Sequence, residues 1–243
     1  MKIFGIRAIL EAIENEETLE KVFLQRDLRG SLYNELQHVI RKNNISFSYV
    51  PKEKLDRLSK NNNHQGAVAH ISQISFHDLE ELISKSQDDT TTPLFLLLDQ
   101  ISDVRNFGAI MRTAECCGVS GIIIPQSGSA PVNAESIKTS AGAAFKIPIC
   151  KVNHLKDAIF LLQSYDIETV AATEKTEESI YDVDFKNPMA IIMGSEGRGI
   201  NPSILKIVNH KAKIPLKGEI ESLNVSVACG VFLYEAVRQR DFR

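Results

Sequence analysis

Cysteine is scarce, with four residues in 243, of which Cys116 and Cys117 are adjacent while Cys150 and Cys229 stand apart. That leaves neither a metal-type C-x-x-C pair nor a disulfide framework, and a reducing cytoplasm is the economical setting. Long apolar runs are missing too. The longest mostly apolar stretch, residues 225–237, contains Ser226 and Glu235 and falls short of the roughly 18 residues that a membrane span needs. Arg7 and Glu11 interrupt the N-terminal stretch, which argues against a cleaved signal peptide, so the N-x-[ST] sequons at Asn44 and Asn224 are expected to stay unmodified. The histidines (His38, His64, His70, His77, His154 and His210) show no metal-ligand spacing, and none is expected to be catalytic or to hold a metal. Nor does one sign of charge dominate: 28 Lys+Arg stand against 31 Asp+Glu, a net −3, which on the sum alone does not indicate a nucleic-acid binder.

What the chain does have is 43% apolar content, enough for one large domain or two smaller ones, which excludes collagen, a coiled coil and a disordered tail. Its charge is unevenly spread. Residues 1–75 carry 11 basic and 9 acidic residues, for +2, whereas 76–93 carry one and five, for −4. That second stretch is polar, Thr-rich and closed by Pro93, as a surface linker or short linker helix is. The expected organisation is a domain over 1–75, an acidic linker over 76–93 and a second domain over 94–243. The first reads as a compact αβα unit with helices near 6–14, 31–43 and 51–60 and strands at 21–25, 45–50 and 66–71. In the second, apolar strands at 94–98, 121–125, 168–172, 189–193 and 212–216 alternate with helices near 107–117, 133–144, 154–164, 202–208 and 223–240. Short continuous apolar runs spaced by helices mean an α/β fold, with a buried parallel sheet covered on both faces.

Three segments carry chemistry. The first follows the 94–98 strand and includes Asp99, Asp103, Asn106, Gly108 and Arg112. The carboxyl edge of such a sheet is where ligands bind. Asn106 suits an N-cap and Gly118 a C′ position, bracketing a helix over 107–117. Helical side chains lean toward the N-terminus, so Arg112 is expected to pass over Gly108, where the missing side chain leaves room for a ligand. A guanidinium near the positive end of a helix dipole calls for an anion there, or for pairing with Asp99 or Asp103.

The second segment, Gly194-Ser-Glu196-Gly197-Arg198-Gly199-Ile-Asn201-Pro202, runs from a strand through a glycine-rich loop into a helix with Asn201 as N-cap and Pro202 at N1. Its glycines permit positive φ and close approach of backbone to a ligand. Their G-x-x-G-x-G spacing is neither the dinucleotide fingerprint nor a P-loop, so NAD and ATP sites of those kinds are disfavoured. Glu196 either caps its loop, pairs with Arg198, or orients Arg112 or Asn106. In the third segment Ile214, Pro215 and Leu216 lead from a short strand to Ser222, Leu223 and Asn224 at the start of the terminal helix. Capping needs only one of Ser222 and Asn224.

Taken in order, N-F-G-A-I-M-R, M-G-S-E-G-R-G-I and I-P-L followed by S-L-N-V-S-V-A resemble the three motifs of the SpoU (TrmH) class of RNA 2'-O-ribose methyltransferases. The N-terminal part, including H-Q-G-A-V-A at 64–69, resembles the substrate-binding domain of the bacterial branch that methylates a guanosine ribose in 23S ribosomal RNA. The likeness covers essentially the whole chain. It implies S-adenosyl-L-methionine as methyl donor, RNA as substrate, and a catalytic domain whose C-terminal segment threads a loop to form a trefoil knot. It implies Gly194, Ile214, Leu216 and Leu223 as cofactor contacts, with Thr173 beside them. It also implies Arg112, Asn106, Glu196, Ser222 and Asn224 as the catalytic group, with Arg112 activating the ribose hydroxyl.

Arginine stays protonated in proteins, so Arg112 is read instead as holding an RNA phosphate and stabilising developing alkoxide charge. The resemblance further implies a homodimer through the terminal helix, where Val227, Val231, Tyr234 and Val237 form either core or dimer face, with a site completed across the interface. His64 is the histidine expected to face RNA. Arg26, Arg29, Arg41 and Lys42 are available for a local basic surface, and the net charge of −3 then limits indiscriminate RNA binding. Two neighbouring readings are transfer RNA as the substrate and a non-catalytic RNA-binding ribosome-assembly factor on the same fold, the latter disfavoured by the intact motif residues. An oxidoreductase on the same sheet type is disfavoured by the absent G-x-G-x-x-G.

Overall fold

The structure is a computed structural model that describes residues 2–14, 17–71, 74–88 and 92–242, and it divides into two compact units, Met1–Ser75 and Phe76–Arg243. In the first unit β1 (Lys2–Phe4), β2 (Leu19–Gln25), β3 (Phe47–Val50) and β4 (Ala67–Ile71) form a sheet in the order β1-β4-β2-β3. The β2/β3 pair is parallel and the others antiparallel. Alternation places Val22, Leu24, Ala67 and Ala69 on one face, where α1 (Ile6–Glu14) and α2 (Ser31–Lys42) bury Ile9, Leu36 and Ile40 against them. Helix α3 (Lys52–Leu58) covers only part of the other face, with Leu55 packed on Val50 and Val68. Strand β1 is absent from the sequence reading because three residues are too few to show a period.

The second unit is built on a six-stranded, all-parallel sheet in the order β10-β8-β9-β5-β6-β7. Its strands are β5 (Leu94–Asp99), β6 (Gly121–Pro125), β7 (Ile149–Val152), β8 (Glu168–Ala172), β9 (Met189–Gly194) and β10 (His210–Ala212). All of β5 and most of β9 are buried, as expected of central strands with helices on both faces. The helices are α4 (Leu79–Asp88), α5 (Val104–Cys116), α6 (Ala134–Thr139), α7 (Leu155–Ser164), α8 (Pro202–Leu205) and α9 (Val225–Asp241). One core layer joins Phe95, Leu97 and Ile192 of the sheet to α4, α7 and α8, while α5 packs against α6 and α9.

Three expectations change. The acidic stretch before β5 is part of the second unit: α4 inserts Leu79 and Ile83 into the core beside Phe95, and the His77 N–H donates to the Ile149 carbonyl at 2.9 Å. Glu80 and Glu81 mark the wet side of this amphipathic helix, which composition alone reads as linker. The strand expected at 212–216 ends at Ala212, because its neighbour β8 ends at the paired Ala172; Ile214 and Leu216 leave the sheet. The helix expected over 133–144 stops at Thr139 and a 3-10 turn resumes at Ala143–Phe145, the chain passing through positive φ at Ala141 and Gly142.

Candidate active site

At the carboxyl edge of the sheet β5 and β9 end side by side, Asp99 in register with Gly194. Asp99 is 5% exposed, and its Oδ2 accepts from the Asn201 N–H at 2.7 Å. Burial pushes its carboxyl above the ordinary range and that hydrogen bond opposes the rise. Asp99 therefore ties the end of β5 to the residue whose side chain caps α8 by accepting from Ser203 N–H.

Between them the 195–199 loop closes on itself, the Gly199 N–H donating to the Ser195 carbonyl at 2.8 Å with Gly199 at φ +67. A Cβ on Gly194 would overlap the Gly199 carbonyl carbon and the Ile200 nitrogen. The missing side chain of Gly194 thus makes room for its own loop, while Gly194 itself also lines a cleft.

Helix α5 begins a turn earlier than expected. Asp103, not Asn106, is its N-cap, with Oδ1 accepting from the Arg105 and Asn106 N–H groups at 2.9 and 2.8 Å. Released from capping, the Asn106 side chain reaches across to the second motif. Its Nδ2 donates to Glu196 Oε1 at 2.9 Å, and its Oδ1 accepts from Asn224 Nδ2 at 3.1 Å. Asn224 Nδ2 also donates to Glu196 Oε1 at 2.6 Å, while its Oδ1 accepts from the Ser226 N–H and so caps α9. One carboxylate oxygen therefore joins all three motifs. Glu196 forms no ion pair with Arg198 among the described residues.

Two concavities meet at this cluster. A cleft of about 280 Å³ is lined by Thr173, Gly194, Ile214, Leu216, Leu223 and Ser222, together with Phe232 and Ala228 of α9. Its charged walls are balanced, with Glu174, Glu196 and Glu221 facing Lys175, Lys213 and Arg198. A second concavity of about 510 Å³ is lined by Gln100, Ser102, Asp103, Asn106 and Gly128. Residues 195–198 and Val225 line both, so Glu196 stands on the shared wall. Sequence reasoning missed the contributions of Phe232, Ala228 and Gln100; only Gln100, at positive φ (+57) directly after a strand, departs from ordinary backbone.

Arg112 stands apart. It is exposed, lines neither concavity and has no hydrogen-bond or ion-pair partner among the described residues. Gly108 does not open space beneath it: a Cβ there would lie 2.5 Å from Thr139 Cβ and 2.8 Å from the Ser136 carbonyl, so the glycine permits close packing of α5 on α6. Neither Asp99 nor Asp103 pairs with Arg112, since one holds Asn201 and the other caps α5. Ser222 is exposed on the cleft wall without a hydrogen bond among the described residues. His64 does not face solvent: it is buried, with Nε2 on Asp56 Oδ1 at 3.0 Å and Nδ1 accepting from the Gly66 N–H.

Known proteins resemble this chain. The SpoU methyltransferase AviRb from Streptomyces viridochromogenes aligns over 99% of this chain and 89% of its own, with TM-score 0.63 and 24% identity, a likeness of fold. The 23S rRNA (guanosine-2'-O-)-methyltransferase RlmB of Vibrio parahaemolyticus is 35% identical over 246 residues, spanning 98% of this chain and 96% of that protein. The protein of the same name in Xylella fastidiosa (strain Temecula1) is 34% identical over 242 residues, with the same two coverages. Residues 2–77 match the RNA 2'-O ribose methyltransferase substrate-binding family. With residues 93–234 matching the SpoU rRNA methylase family, the chain belongs to that family.

Proposed function

We propose that the protein transfers a methyl group from S-adenosyl-L-methionine to the ribose 2'-hydroxyl of a guanosine in ribosomal RNA. The observation that carries this is the Asn106, Glu196 and Asn224 cluster, whose Glu196 stands on the wall shared by two concavities. The smaller cleft suits the methyl donor: Ile214, Leu216, Leu223 and Phe232 offer apolar walls, Thr173 and the loop backbone offer polar groups, and the balanced charged walls suit a zwitterion. When bound, the donor supplies an electrophilic methyl on a sulfonium. The chain's own residues then have only to place the ribose oxygen and tolerate its developing charge. Asn106 and Asn224 hold Glu196 by Oε1, which leaves Oε2 for the ribose hydroxyl. The guanosine name of the relatives supports the choice of nucleotide.

Arg112 lies six residues beyond Asn106, about 120° around α5, and we assign it to the site of a second copy. The α9 stripe supports a homodimer, because Val227 and Tyr234 are 52% and 57% exposed while Cys229, Phe232, Leu233 and Ala236 are buried. There Arg112 grips an RNA phosphate through its planar fork and stabilises alkoxide charge as the proton leaves late. A trefoil-knotted C-terminal segment and a cytoplasmic location complete the reading. No helix among the described residues is long and apolar enough to cross a membrane.

The test is a single-turnover assay on a 23S rRNA fragment. Arg112→Lys is expected to lower the rate at least about 100-fold with the affinity for S-adenosyl-L-methionine unchanged in calorimetric titration; near-normal turnover would refute the need for a fork. Mapping ribose methylation in cells lacking and regaining the protein identifies the nucleotide, and an identical map in both rejects the enzymatic reading.

A further inference from the structure

The face of the first unit's sheet opposite α1 and α2 carries a pattern that the proposed catalysis does not use and that packing uses only in part, Phe23 being half-buried beside the Val50, Leu55 and Val68 cluster. Register across β1, β4 and β2 brings Lys2, His70 and Lys21 into one row and Phe4, Val68 and Phe23 into the next, all on that face. Helix α3 covers the Val50 and Val68 part of it and leaves the β1 side open, where Phe4 is 38% exposed. The Phe23 and His70 rings meet edge to face, with centroids 5.3 Å apart. The ammonium groups of Lys21 and Lys54 stand 5.6 and 5.5 Å from the Phe23 centroid. His70 Nε2 is buried with no hydrogen-bond partner among the described residues. Burial, and after it the ammonium of Lys2, pushes the His70 pKa down, which favours the uncharged ring beside these lysines.

Cations gathered on one face repel unless an anion comes between them, and the exposed Phe4 ring, with the open edges of the half-buried Phe23 and His70, loses by staying in water. A single ligand relieves both: a strand whose phosphates meet the lysines and whose unpaired bases stack on the rings. A duplex would offer its phosphates but keep its bases stacked on one another. We propose that Phe4, Phe23 and His70, with Lys2, Lys21 and Lys54, form a docking platform for a single-stranded segment of RNA. The platform concerns where RNA is gripped and goes beyond the proposed methyl transfer in the second unit.

The experiment uses the full chain and a fluorescein-labelled single-stranded RNA 12-mer, read by anisotropy over a salt series. Lys2→Gln/Lys21→Gln is expected to lower the magnitude of the log–log salt slope by about 1.4, at about 0.7 for each phosphate of a single strand that is no longer neutralised. Phe4→Ala is expected to weaken binding about tenfold and Phe4→Tyr to restore it, since stacking needs a ring and not its identity. Asn34→Ala, at an exposed position of α2 on the other side of the sheet, is expected to bind as wild type. Ultraviolet cross-linking of a 4-thiouridine 12-mer to the wild-type protein should place adducts on β1, β2 or β4. Platform variants that bind as wild type does, or adducts confined to α2 and the second unit, would overturn the platform while leaving the methyl transfer standing. A wild-type protein that does not bind the 12-mer would likewise overturn the platform, whereas the methyl transfer stands or falls by the single-turnover assay on the 23S rRNA fragment.

Discussion

Glu196 is exposed, yet its Oε1 accepts from amides 90 and 28 positions away in the chain. Replacing it by Gln keeps an acceptor but removes the charge that strengthens both bonds. Glu196→Gln is expected to slow single turnover about tenfold, the worth of one charge-assisted hydrogen bond, with cofactor affinity within about twofold; an unchanged rate would reduce Glu196 to a structural role. The residue types of the site were legible because each motif states its chemistry locally. Their roles were less so. Asp103 and Asn106 are both good caps three residues apart, and only the observed start of α5 shows that Asp103 takes the task and frees Asn106. The cysteines follow their surroundings in the same way: burial pushes the Cys117 thiol up to about 11 and Cys150 up to about 12, whereas Cys116 is exposed. Iodoacetamide at pH 8, followed by peptide mass spectrometry, is expected to label Cys116 first, because the thiolate is the reacting form. Equal rates at Cys117 or Cys150 would contradict this environment.

Among the elements, the close pair α5 and α6 depends on Gly108. Alanine is worth about 1 kcal/mol over glycine inside a helix, so propensity alone favours Gly108→Ala. The added Cβ would meet the Ser136 carbonyl at 2.8 Å, and backbone cannot turn away as a side chain can. Overpacking costs about 1–3 kcal/mol, so the variant is expected to be destabilised by about 1 kcal/mol net in urea unfolding; a stabilised variant would show that α6 yields freely. Strands with continuous apolar runs, such as Leu94–Asp99 and Met189–Gly194, were legible because a buried parallel strand needs no alternation. Short or half-polar ones were not. Ile149–Val152 has two buried residues followed by Lys151, and the 212–216 run ends early because pairing, not composition, terminates an edge strand.

For the whole molecule, the two units have separate apolar cores, one joining α1 and α2 to the first sheet and the other joining α4, α7 and α8 to the second. The proposed cofactor cleft lies entirely in the second. S-adenosyl-L-methionine at a hundred times its dissociation constant adds about 2.7 kcal/mol to the unit that binds it. In scanning calorimetry the transition of the second unit is expected to rise by about 5–10 °C and that of the first to stay in place. Equal shifts of both would mean that the units unfold as one. The near-neutral total charge says little about RNA at this scale, because the lysines proposed to meet it are set by register on one sheet face. By itself the sequence determined the two-part α/β architecture and the identity of the three motifs, since burying apolar strands and supplying reactive side chains are local demands on composition. The tertiary structure alone decided that Asn106 bonds Asn224 118 residues away, that Arg112 stands outside its own cleft, and which sheet face stays open. Those outcomes depend on which distant elements come into contact, and no local stretch of the chain carries that information.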